Sequence, residues 1–303
     1  MAEPVYSLGT FAIGGAAAAC IEIAGVAYRL APALARIEAP AWPDLRAVFD
    51  AWAEAAPLLG RAAAAVQDAD RVPADAVRLA PLLYPGKIFC AGANYYDHLA
   101  EMGMPDARKE NQRLFFFAKP PRNAVVGPGR TVRMPLDTRA FDWEIELAVV
   151  IGRTARAVSV ADALAHVAGY TVAIDFSARD LNRAPETFYK LDWVAGKAHD
   201  TCCPMGPVIV PASFIPDPQD LGLRLSVNGA MKQDARSAGM IFSVAEQIAT
   251  LSRIMTLDPG DVVLTGTPAG VGVPKGNFLA VGDRVCAEIE RIGAIEVEIA
   301  PAA

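Results

Sequence analysis

The sequence lacks the signatures of several common protein classes. No run of Lys and Arg occurs, and a net charge of −6 gives no reason to expect nucleic-acid binding. The five cysteines are odd in number and include no CxxC pair, which argues against a zinc ribbon or a disulfide framework and favours free thiols in a reducing compartment. The GxSxG elbow of serine hydrolases and the GxGxxG fingerprint of dinucleotide enzymes are also missing.

The N-terminal segment does not fit the pattern of a signal peptide or a membrane span. Residues 11–27 are rich in small apolar side chains, but no basic residue precedes them, and Glu22 interrupts the run. A signal peptide needs a positively charged start, and a membrane helix needs roughly 18 or more apolar residues without a charge. We therefore expect a cytoplasmic protein.

The patterning of the chain changes at about residue 82. Residues 5–33 have the pattern of short strands joined by glycine turns, and residues 43–70 carry helical spacing after a Pro-Asp start, which together predict a small N-terminal α/β domain over residues 1–82. Residues 83–303 alternate short strands and turns with few helices, which predicts a β-rich α+β catalytic domain rather than a doubly wound sheet. The clearest elements of this second part are strands at 87–91, 141–152, 170–174, 208–210, 223–227, 262–265 and 284–289, and helices at 161–168 and 243–255.

One predicted strand, FDWEIELAVVIG at residues 141–152, carries acidic residues on one face. Side chains two apart in a strand point the same way, so Glu144 and Glu146 should lie side by side. Neighbouring carboxylates repel each other unless a positive charge lies between them, and hard divalent cations prefer oxygen ligands. Asp175, at the end of the apolar stretch YTVAI, is a third candidate ligand. The alternatives are a solvated strand face that pairs with lysines and, for Asp175, a helix N-cap.

A histidine and a glutamate three residues apart form a candidate acid–base pair. His98 and Glu101 lie in NYYDHLAEMG, and residues three apart on a helical turn are neighbours. A carboxylate beside an imidazole orients it for general-base work on water. Lys197, in DWVAGKAHD, could hold a carboxylate or an oxyanion, although a surface lysine is the simpler interpretation. The glycine-rich TGTPAGVG at residues 265–272 could present Thr267 and backbone N–H groups to an anion.

The order of these segments resembles the fumarylacetoacetate hydrolase superfamily. The most specific pieces are DWEIELAVVIG, AIDFSARDLN and TGTPAGVG, and the similarity runs from about Lys87 to Ile292. The resemblance implies a rolled mixed β-sheet core, a homodimer, a variable appended N-terminal domain, and one Mg²⁺ or Mn²⁺ ion, for which Ca²⁺ can substitute in crystals. The implied metal ligands are Glu144, Glu146 and Asp175. The implied catalytic residues are His98, Glu101 and Lys197, and the implied substrate-binding residues are Arg179, Asn182 and Thr267.

The function predicted from this resemblance is metal-dependent cleavage of a C–C bond in a small 2,4-dioxo acid of the acylpyruvate or fumarylacetoacetate type. The acid would chelate the metal, which would hold the resulting enolate, while the oriented histidine activates water. The same chemistry supports an isomerase, hydratase or decarboxylase acting on a 2-oxo acid. The His98–Glu101 pair favours hydrolysis because hydrolysis needs activated water. A non-enzymatic small-molecule binding protein is the remaining alternative and would bind no metal.

Overall fold

The computed structural model describes residues 4–302 and contains eighteen strands and seven α-helices within that range. The strands are β1 (Ser7–Ile13), β2 (Ala16–Ile23), β3 (Val26–Arg29), β4 (Val77–Arg78), β5 (Ile88–Gly92), β6 (Phe115–Lys119), β7 (Val125–Val126), β8 (Thr131–Arg133), β9 (Phe141–Asp142), β10 (Ile145–Ile151), β11 (Val167–Ile174), β12 (Ser177–Ala178), β13 (Cys203–Pro211), β14 (Gly222–Val227), β15 (Ala230–Arg236), β16 (Val262–Leu264), β17 (Arg284–Ile289) and β18 (Gly293–Ala300). The helices are α1 (Leu30–Arg36), α2 (Leu45–Asp50), α3 (Trp52–Ala64), α4 (Tyr96–Glu101), α5 (Arg179–Asn182), α6 (Trp193–Lys197) and α7 (Val244–Ile254). None of these helices combines the length and the apolar composition that a membrane crossing requires.

Two mixed sheets form the framework of the molecule. The larger sheet has the order β3-β2-β1-β13-β11-β10-β16-β5-β6, with β4 beside β1 and β7 beside β13. The smaller sheet has the order β15-β14-β17-β18-β8. Most neighbours are antiparallel, whereas β16–β5, β13–β7 and β18–β8 are parallel pairs. The prediction of a β-rich α+β fold is therefore confirmed.

The central strands β10 and β11 are buried on both faces. Alternate side chains of β10, including Ile145 and Leu147, join a core cluster shared with the smaller sheet. The intervening side chains, including Ala148 and Val150, belong to a second cluster that contains apolar residues of α1–α3. A strand covered on both faces must be apolar almost throughout. Glu146 is the one charged residue of β10, so its burial calls for a specific partner.

The N-terminal residues extend the larger sheet. β1–β3 correspond to the predicted short strands, and β1 pairs with β13, where Leu8 lies opposite Ile209. The helix predicted over residues 43–70 is two helices, α2 and α3, because the backbone at Ala51 leaves helical geometry; the side chain of Asp44 caps the first of them. Helix α1 was not predicted from the sequence. The domain boundary near residue 82 stays a prediction, and the larger sheet runs across it.

The prediction of a helix at residues 161–168 is wrong, because only a single helical turn forms there. The structure has a 3₁₀ turn at Ala163–His166, and β11 already begins at Val167. Val167 lies opposite Ile151 at the end of β10, so pairing within the sheet outweighs the local preference of an alanine-rich segment for helix.

The strand predicted at residues 141–152 is interrupted between β9 and β10. There the Asp142 carboxylate accepts the N–H of Trp143 at 2.9 Å, and the N–H of Ile145 donates to the side chain of Gln233 at 3.0 Å. Side chains thus replace the ladder partners of the backbone at this point. Apolar and acidic residues still alternate through the break, which keeps the two glutamates of this segment close together.

Helix α7 begins at a capping box, which we expect to contribute to the stability of the protein. The Ser243 hydroxyl accepts the N–H of Glu246, and the Glu246 carboxylate accepts the N–H of Ser243 at 2.8 Å. We expect Ser243→Ala to lower the free energy of unfolding by about 1 kcal/mol, because one N–H of the first turn loses its acceptor. Chemical denaturation measures this change. Thr250→Ala, in the interior of the same helix, is the control and should cause no loss. Equal midpoints for Ser243→Ala and the wild type would contradict the capping role.

Candidate active site

Three buried carboxylates meet at one end of the central strand pair. Glu144 immediately precedes β10, Glu146 lies within it, and Asp175 immediately follows β11. Because β10 and β11 are antiparallel, with Ile145 opposite Ile174, these positions coincide, and the N–H of Asp175 donates to the carbonyl of Glu144 at 2.8 Å. Each residue offers an oxygen within 4.8 Å of the others. The structure therefore brings together the three ligands predicted from the sequence, and we call them the acidic triad.

Two cations surround Glu144. Arg179 places Nη2 2.5 Å from Glu144 Oε1 and donates through Nε to Asp142 Oδ2 at 2.9 Å. Lys197 places Nζ 2.6 Å from Glu144 Oε2 and 2.7 Å from Asp175 Oδ2. Burial alone would raise the pKa of Glu144, but Arg179 and Lys197 outweigh it and hold that pKa well below its usual range. Burial also opposes the charge of Lys197, yet Asp175 and Glu144 raise its pKa, so this lysine is buried and protonated rather than a surface residue.

Glu146 is the least compensated member of the acidic triad. Its Oε2 accepts the N–H of Gly266, and none of residues 4–302 places a cationic atom within ion-pair distance of it. Burial, followed by the charges of Asp175 and Glu144, raises the pKa of Glu146 well above its usual value. The ionised form of this carboxylate therefore needs an additional positive charge.

A buried lysine behind the acidic triad was missed by the sequence analysis. Lys119, the last residue of β6, donates to the backbone carbonyls of Phe176 at 3.0 Å, Lys197 at 2.6 Å and Cys202 at 3.0 Å. These bonds use its three hydrogens, so its 2.7 Å approach to Asp175 Oδ1 is an ion pair. Burial works against the charge, but Asp175 raises the pKa of Lys119 above its usual value. The sequence signal that could have identified Lys119 was its position as the only charged residue, at the end of the otherwise apolar strand FFFAK.

The acidic triad fits a divalent cation. Glu146 is buried and has no cationic partner within the described part of the chain, and Asp175 Oδ1, although ion-paired with Lys119, accepts no hydrogen bond there. A buried carboxylate such as that of Glu146 is costly without a compensating charge, and an all-oxygen set of donors suits a hard ion such as Mg²⁺ or Mn²⁺. A solvated strand face does not describe these residues, because all three are buried. An N-cap does not describe Asp175 either, because the capping position of α5 is Ala178.

The predicted acid–base pair forms on helix α4. His98 Nδ1 lies 2.8 Å from Glu101 Oε1, and Glu101 Oε2 accepts the N–H of Gly270 at 2.9 Å. An ionised carboxylate can only accept hydrogen bonds, so we assign the imidazole proton to Nδ1. This assignment leaves the lone pair of neutral His98 on Nε2, which is the arrangement that a general base requires.

The glycine-rich segment at residues 265–272 holds acidic side chains through its backbone. Its N–H donors are Gly266 to Glu146, Gly270 to Glu101 at 2.9 Å, and Gly272 to Asp142 at 2.6 Å. Gly270 has a φ of +110°, and a Cβ there would lie 2.0 Å from the carbonyl oxygen of Lys232, so a side chain does not fit. The backbone donors that the sequence suggested for an external anion thus bind the carboxylates of the protein itself.

A cavity of about 400 Å³ adjoins these groups. It is lined by the predicted residues His98, Glu144, Glu146, Arg179, Asn182, Lys197 and Thr267. The two uncharged residues among them are also hydrogen-bonded to the protein: the Thr267 hydroxyl donates to the carbonyl of Ile145 at 2.8 Å, and the Asn182 amide donates to the carbonyl of Asp192 at 3.0 Å. These bonds fix the two side chains at the cavity wall. His199, two residues after Lys197, lines a different cavity.

Aromatic and thioether side chains complete the cavity wall. Phe117 and Trp193 stack with their ring centroids 5.0 Å apart, and Lys197 Nζ lies 4.9 Å from the centroid of the Phe117 ring. Met102 and Met104 also line the cavity. Apolar walls limit the access of water and strengthen the electrostatic interactions inside. The sequence analysis missed this wall, although the run FFF at residues 115–117 was the available signal.

A family model covers most of the chain. Residues 87–300 match the model described as Fumarylacetoacetate (FAA) hydrolase C-terminal. The chain belongs to the fumarylacetoacetate hydrolase family. The resemblance drawn from the sequence is therefore confirmed, and the matched residues include the acidic triad, the His98–Glu101 pair and the glycine-rich segment.

The names of related proteins describe several different activities. The mitochondrial oxaloacetate tautomerase of Xenopus laevis is 44% identical over 219 residues, which are 72% of this chain and 66% of the length of that protein. The structure of 2-hydroxyhepta-2,4-diene-1,7-dioate isomerase from Mycobacterium marinum matches 98% of both chains, with a TM-score of 0.73 and 32% identity. The structure of fumarylpyruvate hydrolase from Pseudomonas aeruginosa, in complex with Mn²⁺ and pyruvate, matches 73% of this chain and 91% of that one, with a TM-score of 0.65 and 34% identity.

These relatives define what family membership implies for this chain. It is an enzyme of the fumarylacetoacetate hydrolase family, whose members share chemistry that passes through an enolate. The buried acidic triad and the Mn²⁺ of the Pseudomonas relative agree with a divalent metal without selecting the ion. Hydrolysis of an acylpyruvate stays a prediction, because the relatives include a tautomerase and an isomerase as well as a hydrolase.

Proposed function

We propose that this enzyme interconverts the enol and keto forms of a small 2-oxo acid. The observation that carries the proposal is the position of His98, oriented by Glu101, on the cavity that Glu144 and Glu146 also line. A group that transfers protons and a set of hard oxygen ligands thereby face the same small volume. Both would serve a 2-oxo acid, because a cation held by these ligands would polarise the C2 carbonyl while a proton moves at C3.

Tautomerisation is the simplest reaction that uses all of these groups. The enol hydroxyl loses a proton and C3 gains one, so the reaction consumes neither water nor a further reactant. It requires no nucleophile and no binding position for a second molecule. The 44% identity to an oxaloacetate tautomerase supports the same choice.

The cation would be held by Glu144, Glu146 and Asp175, and when bound it supplies Lewis-acid polarisation of the 2-oxo acid. Lys197 keeps its positive charge at neutral pH and lines the cavity, where it offers a donor to the negative charge that develops on the C2 oxygen. The stacked rings of Phe117 and Trp193 restrict the access of water to the reacting carbon.

His98 holds the proton that is exchanged with C3. Its Nε2 is the nitrogen without a partner in the pair with Glu101, so it can accept a proton from C3 or return one to it. While the imidazole is charged, the Glu101 carboxylate stabilises it at 2.8 Å, and the Gly270 N–H keeps that carboxylate in place. The pair therefore works in both directions of the equilibrium.

Hydrolysis of a 2,4-dioxo acid is the second candidate. The observation that favours it is again the oriented imidazole, because His98 could activate a water molecule for attack at C4. The C3–C4 bond would then break, releasing the acyl group as a carboxylic acid and pyruvate through its enol. This candidate needs a water position beside C4 in addition to the groups described above.

Metal removal and restoration distinguish the two candidates. The protein is stripped with EDTA and assayed with and without Mg²⁺ or Mn²⁺ on two substrates, enol-oxaloacetate for ketonisation and acetylpyruvate for release of pyruvate. We expect ketonisation to fall to the uncatalysed rate after stripping and to return with the metal. Metal-dependent pyruvate release from acetylpyruvate without ketonisation would establish the hydrolase instead. Metal-independent ketonisation would refute the proposed role of the acidic triad.

A further inference from the structure

We propose that Arg183 binds a second carboxylate of the substrate, so that the enzyme prefers 2-oxo diacids to 2-oxo monoacids. The proposal rests on the proposed function, because it takes the first carboxylate and the C2 oxygen to lie at the acidic triad. The proposal concerns the distal end of the substrate, which neither the acidic triad nor the His98–Glu101 pair would bind.

Most of the charged groups that line the cavity are paired within the protein. These groups are His98, Glu144, Glu146, Arg179, Arg183 and Lys197. Five of them already bind protein partners: His98 binds Glu101, Arg179 and Lys197 bind Glu144, and Glu146 accepts the N–H of Gly266. The Arg183 guanidinium alone has no hydrogen bond or ion pair with any residue between positions 4 and 302. Among the described lining residues it is the one charged side chain without a protein partner and without a role in the proposed reaction.

Arg183 lies four residues after Arg179, the arginine that contacts the acidic triad. Helix α5 spans Arg179–Asn182, and Arg183 occupies its C-cap position. Residues four apart around a helical turn lie on the same side, with about 5–6 Å between their Cβ atoms. Arg179 is directed at Glu144 and Asp142, whereas Arg183 is exposed. The two arginines are therefore one turn apart, the first at the acidic triad and the second at an exposed position of the cavity lining.

The backbone that carries Arg183 is fixed. Its N–H donates to the carbonyl of Asp180 at 3.3 Å, and Arg183 forms an antiparallel bridge with Leu191. The neighbouring Ala184 N–H donates to the carbonyl of Lys190 at 3.1 Å. A side chain on such a backbone loses less freedom on binding a ligand than one on an unpaired loop.

The uncharged side chains of the cavity wall are mostly apolar. The exposed lining residues Met102, Met104 and Leu191 and the half-buried Trp193 offer no cation. The Asn182 amide is engaged with Asp192. A distal carboxylate would thus meet a single cationic donor, and the planar guanidinium of arginine binds a carboxylate through two parallel hydrogen bonds. An uncharged substrate tail would leave this arginine unused.

Binding of two stable analogues tests the proposal. Malate and lactate are 2-hydroxy acids that differ by the distal carboxylate, and they are titrated into the Mn²⁺-loaded protein by calorimetry. We expect the wild type to bind malate more tightly than lactate. Arg183→Ala should weaken malate binding about tenfold and leave lactate binding unchanged, since a charge-assisted pair of hydrogen bonds is removed. Arg183→Lys should fall between the two. Arg61→Ala, an exposed arginine of α3 with the same change in charge, is the control and should match the wild type.

Kinetics with enol-oxaloacetate give a second measurement. Arg183→Ala should raise KM about tenfold with kcat retained, because the distal carboxylate contributes binding and takes no part in the proton transfer. Equal weakening of malate and lactate, or no weakening of either, would overturn the assignment of Arg183. A wild type that lacks ketonisation activity but keeps an Arg183-dependent preference for malate would refute the proposed function and leave this inference standing.

Discussion

Glu146→Gln is expected to weaken Mn²⁺ binding by at least about 100-fold. Replacing residues that only orient metal ligands already costs 10- to 100-fold in affinity, and Glu146 is assigned to direct ligation. The amide keeps an oxygen for the Gly266 N–H but carries no charge to attract the cation. Isothermal titration calorimetry of the metal-free protein with Mn²⁺ measures the change.

The same substitution should leave the metal-free protein as stable as the wild type or more so. Glu146 is buried beside two further carboxylates, and these surroundings raise its pKa because they disfavour its charge. A neutral amide removes that repulsion, so lost metal binding with a retained thermal midpoint distinguishes a ligand from a structural residue. Glu246→Gln, in the cap of α7, is the control for the removal of one charge and should leave Mn²⁺ affinity unchanged. Wild-type affinity in Glu146→Gln would place the metal elsewhere.

His98→Asn is expected to lower kcat for ketonisation by about 10²- to 10⁴-fold, the usual contribution of a positioned general acid or base. Asparagine keeps a polar side chain on α4 but cannot carry the proton between Nε2 and C3. Because His98 is not part of the acidic triad, Mn²⁺ affinity should stay at the wild-type value. Steady-state kinetics, together with the calorimetric titration, separate the two effects.

Two further variants test whether His98 is the residue that transfers the proton. Glu101→Gln should also lower kcat, because the imidazolium formed during turnover loses its carboxylate at 2.8 Å. His199→Asn removes a histidine whose Nε2 lies 2.6 Å from the carbonyl of Ala195, outside the cavity, and it should retain full activity. If His98→Asn and His199→Asn lowered kcat equally, the role of His98 in proton transfer would be untenable.

The parts of the site that could be predicted from the sequence are those set by local geometry. His98 and Glu101 are three apart on one helical turn, so their contact follows from helix geometry alone. Glu144 and Glu146 are two apart in a segment that alternates acidic and apolar residues, and their proximity follows from the same reasoning. The proximity of Asp175 to Glu144 does not follow from local spacing, because only the antiparallel pairing of β10 with β11 brings the two residues together.

The parts that could not be predicted depend on contacts between distant segments. Lys119 is separated from Asp175 by more than fifty residues, and nothing in FFFAK shows that its ammonium group meets three carbonyls. Val167 begins a strand because Ile151 lies opposite it, although the alanines before it favour helix. In the fold, likewise, the division of residues 43–70 into α2 and α3 follows from the backbone at Ala51, where neither glycine nor proline marks a break.

The pairing of β1 with β13 has a consequence for the exposed edges of the sheet. Around Ile209, the side of β13 turned away from β11 is covered by β1, which is followed outward by β2 and β3. These three strands precede residue 87, where the family match begins. Without them, this part of β13 would present unpaired N–H and C=O groups, a template for strand addition by another molecule. The N-terminal strands thus cover this edge of β13 and move the end of the sheet to β3, which is only four residues long and is itself partly paired, because Tyr28 forms an antiparallel bridge with Arg71.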